Sequence, residues 1–358
     1  MTGLRSRIAA VAVCLMLVSA AAGAARADAK PSAQTLAPTD IAIDARPITA
    51  FCPARPDEKH FGQLEFLGGL VLTSPDSRNF GGWSGLVMDA DAKGFAAVSD
   101  SGVWLIATLE YEGEAPSAIK NARLGPILAR DGQALKGNRD RDAEAIALMS
   151  GTVRDGSALI AFEQNSRLMR YDIANGHFTA ARETLGNPRA SANMRRNNGF
   201  EAMTVMRGGP HKGQVVALSE RLYNSLRNHT GWIWTERKAE SFYITNIGDF
   251  DITDITSLDD GSLFVLERRF RWIEGVKMRI RRIAASDLQP GKTVTGETLL
   301  EADSDFEIDN MEALAATRDA DGRVVLTIMS DDNFNRSLQR TLLLQFAVGG
   351  ATAAKTRP

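Results

Sequence analysis

Histidine and cysteine are scarce in this sequence: four His and two Cys in 358 residues. Cys14 and Cys52 form no CxxC or Cys/His cluster, which excludes a zinc or haem centre of the usual kind. His60, His177, His211 and His229 are dispersed, and the phosphohistidine signature Arg-His-Gly-x-Arg-x-Pro is absent, so phosphohistidine chemistry is excluded too. An excess of positive charge is also missing. With 42 Lys+Arg against 44 Asp+Glu the formal charge is −2, and no Lys/Arg-rich run occurs, so nucleic acid is not an expected partner. No segment keeps a 3.6-residue apolar period, so helix should be rare. No apolar run reaches the roughly 20 residues that a membrane-spanning helix needs.

What is present begins with a leader. Arg5 and Arg7 precede the small-residue apolar stretch 8–22, and Ala25-Arg26-Ala27 fits a small-x-small cleavage site. Residues 1–27 are therefore expected to be a cleaved signal peptide, with a periplasmic or secreted chain starting at Asp28. Cleavage would remove three Arg and no acid, leaving 39 − 44 = −5. It would also leave Cys52 alone, so core packing rather than an internal disulfide must hold the fold. The expected organisation is an N-terminal extension over 28–60, one domain over 61–348 and a tail over 349–358, a monomer without stable membrane insertion.

The domain is repetitive. Gly82-Trp83-Ser84-Gly85-Leu86, Ala143-Glu144-Ala145-Ile146, Phe200-Glu201-Ala202-Met203, Thr253-Asp254-Ile255-Thr256 and Met311-Glu312-Ala313-Leu314 share one pattern. From Ser84 through Glu144, Glu201, Asp254 and Glu312 the intervals are 60, 57, 53 and 58 residues. A second acid closes the next apolar run in each unit: Asp100, Glu163, Glu220, Glu267 and Asp331. Asp155-Gly156, Asp260-Gly261 and Asp321-Gly322 sit between the first and second runs, as hairpin turns do. Units two and four read as four strands each: 144–149, 158–163, 167–173 and 177–185, then 254–258, 262–268, 277–284 and 294–301. Four antiparallel strands at this period predict an all-β protein, a single β-propeller with five blades, or six. A two-sheet sandwich is the competing arrangement. The last unit shows only three runs, 312–317, 324–330 and 340–348. An upstream strand within 63–72 is expected to complete it and close the ring.

Antiparallel neighbours place the start of strand one and the end of strand two on the same side. Both acid series should therefore line one mouth. Two carboxylates about 6 Å apart repel by roughly 3 kcal/mol at an effective dielectric of 20, so cations, shared protons or arginines must compensate. Hard oxygen donors without thiols suit Ca²⁺, and Mg²⁺ less. Asp100, Glu144, Glu163, Glu201, Glu220, Asp254, Glu312 and Asp331 are the candidate metal ligands. Arg221, Glu267, Arg268 and Arg269 are the candidate catalytic residues, and the loop Arg195-Arg196-Asn197-Asn198-Gly199 adds cations. The bland alternative for any one acid is a bond to a backbone amide or to an Arg of the next blade. Ser84 resembles a nucleophile elbow, but Leu86 stands where the closing Gly should be. Asp303, Asp305, Glu307 and Asp309 lack the turn glycine of an EF-hand and either feed the mouth or form a solvated loop.

Gly81-Gly82-Trp83-Ser84-Gly85-Leu86, Val98-Ser99-Asp100-Ser101-Gly102, Asn198-Gly199-Phe200-Glu201-Ala202, Leu266-Glu267-Arg268-Arg269, Asp309-Asn310-Met311-Glu312-Ala313 and Ser330-Asp331-Asp332-Asn333-Phe334 together resemble the phytase-like, "esterase-like activity of phytase" family of exported bacterial proteins. The resemblance spans roughly residues 62–346. It implies a propeller related to calcium-dependent alkaline phytases, with the matched acids and Leu266-Glu267-Arg268-Arg269 at its site. The expected function is a calcium-dependent phosphoric ester hydrolase acting on a small anionic substrate. The alternatives are a metal-dependent lactonase or carboxyl esterase, and a non-catalytic binding propeller with a structural ion.

Overall fold

The computed structural model describes residues 36–188, 199–235 and 238–349. The expected signal peptide, residues 195–198 of the basic loop and residues 350–358 of the tail lie outside the described residues. Five sheets follow one another along the chain, and each is a propeller blade.

Blade 1 comprises Trp83–Met88, Gly94–Ser99, Val103–Glu112 and Ala115–Pro126. Blade 2 comprises Ala143–Gly151, Gly156–Phe162 and Arg167–Ala174, with an outer edge split into His177–Phe178 and Thr184–Leu185. Where the sequence predicts one strand over 177–185, both short pieces pair with Arg167–Ala174 instead. Blade 3 runs through Phe200–Val205, Val215–Tyr223, His229–Trp234 and Ala239–Ile244. Blade 4 consists of Asp251–Ser257, Leu263–Arg271, Gly275–Ile283 and Glu297–Ala302. Blade 5 takes Met311–Arg318, Val324–Ser330 and Thr341–Val348 from the C-terminal end, and Leu64–Thr73 from the N-terminal end.

That last pairing closes the ring as expected: Thr341 lies opposite Leu72 and Val348 opposite Leu64. The chain before it also joins the sheets. Asp44–Ile48 pairs outside Leu64–Thr73, and Thr39–Asp40 pairs with the outer strand of blade 1.

The first strand of every blade packs against the first strands of both neighbours, forming the innermost wall. Closeness there demands small residues. A Cβ at Gly85 would stand 2.8 Å from the Ile146 amide nitrogen, so blade 1 can approach blade 2 only with glycine at this place. Apolar burial follows the same geometry, with one cluster at each of the five blade–blade interfaces. Because strands are covered on both faces, several read as unbroken buried runs rather than as alternating ones, as Trp83–Met88 does. Cys52 is buried in the cluster between blades 4 and 5.

Candidate metal centre at the ring mouth

A β-bulge interrupts the first strand of every blade at the same station. In blade 1, Trp83 pairs with Ser99 and Gly85 with Val98, leaving Ser84 as the extra residue. The same skip leaves out Glu144, Glu201, Thr253 and Glu312 in blades 2 to 5. A bulged residue leaves the strand's in-out alternation and its side chain is re-aimed. The next contact is equally regular. The amides of Asp100, Glu163, Glu220 and Asp331 donate to the carbonyls of Gly82, Asp142, Gly199 and Asn310, at 2.9–3.3 Å. Each of those carbonyls lies two residues before the bulge, so the second acids of blades 1, 2, 3 and 5 occupy one equivalent place.

Blade 4 departs from the sequence alignment by one residue. Its bulge is Thr253, not Asp254, and its register pairs Ile252 with Glu267 and Asp251 with Arg268. Arg268 therefore stands where the other four blades carry an acid. A slip of one residue in a strand turns a side chain to the opposite face. Asp254, expected as a metal ligand, is instead buried between blades and accepts the amides of Ile255 (2.8 Å) and Leu314 (2.7 Å). Glu267, expected at the catalytic site, is buried and paired with Arg279 Nε (2.6 Å) and with the Arg281 guanidinium (Nε at 2.9 Å). Both acids brace the blade. Thr253 Oγ1 donates to the Met311 carbonyl at 3.1 Å, adding a second link from blade 4 to blade 5.

The remaining acids converge. Carboxylate oxygens of Asp142, Glu144 and Glu163 lie within 4.8 Å of one another, and so do those of Glu163, Glu201 and Glu220. Glu163 is common to both sets. At that spacing two full charges would repel by about 3.5 kcal/mol at an effective dielectric of 20. Protonation is the response available to the chain alone. Lost hydration, and then the neighbouring Asp142 and Glu220 carboxylates, push the Glu163 carboxyl up to about 8. Burial pushes Glu220 up to about 7, against the attraction of Arg221 and Arg268. Glu144 and Glu201 are also held well above the usual range, by burial first and each other's neighbours second. Asp331 is raised likewise, by burial and then by Glu312 and Asp100. Acids on blades 1, 2, 3 and 5 thus act on one another across the mouth.

Hard, crowded carboxylate donors fit Ca²⁺ or Mg²⁺, since a divalent cation relieves the repulsion that protons otherwise relieve. Asp142 was not singled out by the sequence repeat. Its only signal is its place two residues before Glu144, where other blades have Gly82, Gly199, Asp251 and Asn310.

Three cations border the acids differently. Arg268 Nη2 lies 3.5 Å from Glu312 Oε1, while its buried Nε has no hydrogen-bond partner among the described residues. Arg221 contacts Glu220 Oε1 at 3.1 Å and Asp251 Oδ2 at 2.7 Å and stays half exposed. Arg269 is committed elsewhere: it donates to the Gly248 carbonyl (2.7 Å), pairs with Glu274 (2.6 Å) and stacks over Phe250.

Other expected candidates take structural places. Asp332 accepts the amides of Gly82 and Phe334, stitching blade 5 to blade 1. Asp309 accepts the Arg340 amide, and Glu307 pairs with the Arg340 side chain, so the acidic stretch before blade 5 is an ordered brace. His229 bonds the Phe250 carbonyl, and His211 bridges Gln214 and the Leu288 carbonyl. Ser84 is buried, its Oγ without a partner among the described residues, and no histidine is bonded to it.

No curated protein matches this chain. Among solved structures it is similar to "Structure of Dos1 propeller" (10% identity, TM-score 0.36, covering 81% of this chain and 76% of that chain). It is also similar to "Structure of U3-55K" (9% identity, TM-score 0.36, 74% and 95% covered). A third is "Crystal structure of RRP9 WD40 repeats" (10% identity, TM-score 0.37, 86% and 87% covered). A family model described as "Phytase-like: Esterase-like activity of phytase" matches residues 78–334, which takes in all five bulge stations. The chain belongs to the phytase-like family.

Proposed function

We propose that the protein is a calcium-dependent phosphoric ester hydrolase that binds a small anionic substrate at the acid-lined mouth. The observation that carries this reading is the pair of three-carboxylate sets joined at Glu163, bordered by Arg268 with an unpartnered Nε–H. Asp142, Glu144, Glu163, Glu201 and Glu220 would hold calcium, with Asp100, Glu312 and Asp331 completing the acidic wall. When bound, calcium supplies positive charge that offsets the charge of the phosphate and polarises its oxygens. Arg268 contributes a planar fork whose free Nε–H suits a phosphate oxygen, and Arg221 offers a second guanidinium from the exposed rim.

In this reading Glu267 and Arg269 are positioning residues. Glu267 fixes Arg279 and Arg281 inside blade 4, and Arg269 fixes the hairpin that carries Arg268. The leader predicts export, with cleavage near Ala27/Asp28, and the closed ring suits a monomer.

The test is hydrolysis of a phosphomonoester panel that includes inositol phosphates, with calcium and with chelator. Calcium-dependent release of phosphate from at least one member is expected. No hydrolysis of any member would sink the phosphatase reading. The words "esterase-like activity" in the family description support a second reading, hydrolysis of carboxyl esters, to which we add lactones as cyclic esters. Such neutral substrates would leave activity indifferent to loss of the Arg268 fork. A protein that binds calcium but hydrolyses neither class would be a binding propeller with a structural ion.

A further inference from the structure

The seven large apolar side chains exposed among the described residues are unevenly placed. Leu226, Ile247, Trp272, Ile273 and Leu338 lie on the connections at the mouth face, Phe270 lies at the mouth end of the strand Leu263–Arg271, and Met149 alone lies toward the other end. Three of these connections are equivalent. They join strands two and three of blades 3, 4 and 5, and each ends in a nearly bare apolar side chain: Leu226 (77% exposed), Trp272 and Ile273 (90% and 97%), and Leu338 (78%). The matching connections of blades 1 and 2, residues 100–102 and 163–166, are short and carry none.

An exposed arginine accompanies each tip. Arg227 beside Leu226 lies over the Tyr223 ring, Arg271 beside Trp272 is paired with Glu274 and Asp249, and Arg336, two residues from Leu338, donates to the Phe80 carbonyl at 2.8 Å. The blade 4 hairpin stays paired out to Arg271 and Gly275, three residues beyond Arg268, and Trp272 at its tip is four beyond. At about 3.3 Å per strand residue, its tip stands roughly 13 Å outside the mouth. It is also stiffened at its base, since Arg269 and Arg271 both pair with Glu274 and Arg271 reaches Asp249.

The geometry points to a peripheral membrane-docking surface: the three tips enter the interface of a phospholipid bilayer, and Arg227 meets its phosphate headgroups. The tips are convex and separate. A small ligand needs a concave pocket that covers most of its surface, which these side chains do not form. A protein partner needs one continuous complementary patch, whereas a fluid lipid surface accepts three isolated apolar tips without matching their shape. Tryptophan and aliphatic side chains beside arginine are the composition that interfaces favour, because the apolar part enters the acyl boundary while the guanidinium remains with phosphate. Arg227, which has no ion pair among the described residues, also favours anionic lipid over zwitterionic lipid. No helix among the described residues is long and apolar enough to cross a membrane. The proposal is independent of the hydrolase reading.

Tryptophan fluorescence tests it directly. Trp83, Trp104, Trp232 and Trp234 are buried, so Trp272 is the exposed one of the five. Vesicles of phosphatidylcholine with phosphatidylglycerol should shift the emission to the blue and carry the full chain down on sedimentation. Pure phosphatidylcholine should do so less. Trp272→Phe should abolish the shift and keep sedimentation. The pair Trp272→Ser with Ile273→Ser should weaken sedimentation by roughly tenfold or more, since the anchoring apolar area is lost. Both variants should melt with wild type, because neither side chain packs in the core. Failure to sediment with either vesicle overturns the proposal, as does undiminished sedimentation of the Ser pair. A blue shift that grows with protein concentration in the absence of vesicles would instead make the occupant a second copy of the chain.

Discussion

Arg268 Nη2 lies 3.5 Å from Glu312 Oε1, a cation of blade 4 facing the bulged acid of blade 5. Four blades place an acid at the station that Arg268 fills, so one positive charge breaks an otherwise acidic ring. The site therefore has a direction. The two carboxylate sets lie on blades 2 and 3, and the guanidinium approaches from blade 4.

Arg268→Lys keeps the charge and loses the fork. A hydrogen bond to a charged group is worth about 1.5–3 kcal/mol, so turnover of a phosphomonoester should fall roughly tenfold to a hundredfold. Calcium affinity, measured by titration calorimetry, should stay within error of wild type. Equal losses in affinity and turnover would place Arg268 in the structure rather than at the substrate.

Glu163→Gln removes the negative charge of the residue common to both sets. Calcium affinity and activity should drop together, and excess calcium should restore part of the rate. In chelator above about pH 8, where Glu163 would ionise, the variant should melt higher than wild type, since that buried like charge is gone. If Glu163 only braces the blades, the variant would melt lower in chelator and bind calcium unchanged.

The raised carboxyls set a pH slope. For Glu163, at about 8, and Glu220, at about 7, the folded state holds the proton more tightly than the unfolded chain, whose glutamates titrate near 4.5. Their contribution is fully present below pH 4.5 and is lost as pH rises through about 7 to 8. The calcium-free melting temperature should therefore decline from pH 5 to pH 8.5. Calcium should flatten the decline, and its binding near pH 7 should release protons. A calcium-free protein whose stability rises over that interval would contradict the buried, protonated state.

Asp254 and Glu267 should behave as braces. Asp254→Ala strands two buried amides and should cost about 1–3 kcal/mol in denaturant unfolding. Glu267→Ala leaves Arg279 and Arg281 buried without their partner, a loss of about 3–5 kcal/mol. Neither change should weaken calcium binding in the fraction that remains folded. A large drop in affinity for Asp254→Ala would return that residue to the metal site.

Much of this architecture is written in local pattern. Five acid-or-Ser motifs, each followed by a second apolar run, mark five blades because every blade repeats the same strand–turn–strand problem. Asp260-Gly261 and Asp321-Gly322 mark turns because glycine at φ +81° closes them without strain. The closing strand was legible as well, since a last unit with three runs leaves an edge that Leu64–Thr73 must cover.

What the sequence alone determined is the repeat, the all-β ring and the supply of acids and arginines, because apolar period and turn chemistry act over a few residues. Tertiary structure decided which of those side chains share a site. Thr253-Asp254 and Glu267-Arg268 each offer two adjacent candidates, and only the pairing register across the bulge chooses Thr253 and Arg268 for the mouth. A one-residue shift reverses a strand's faces at no cost visible in composition. Asp142 joined the site for the same reason: its partners Glu144 and Glu163 come from different strands, and bulges bring them together. Whether an acid binds a cation or braces a blade is thus set by which neighbours reach it, and those neighbours meet only when the ring closes.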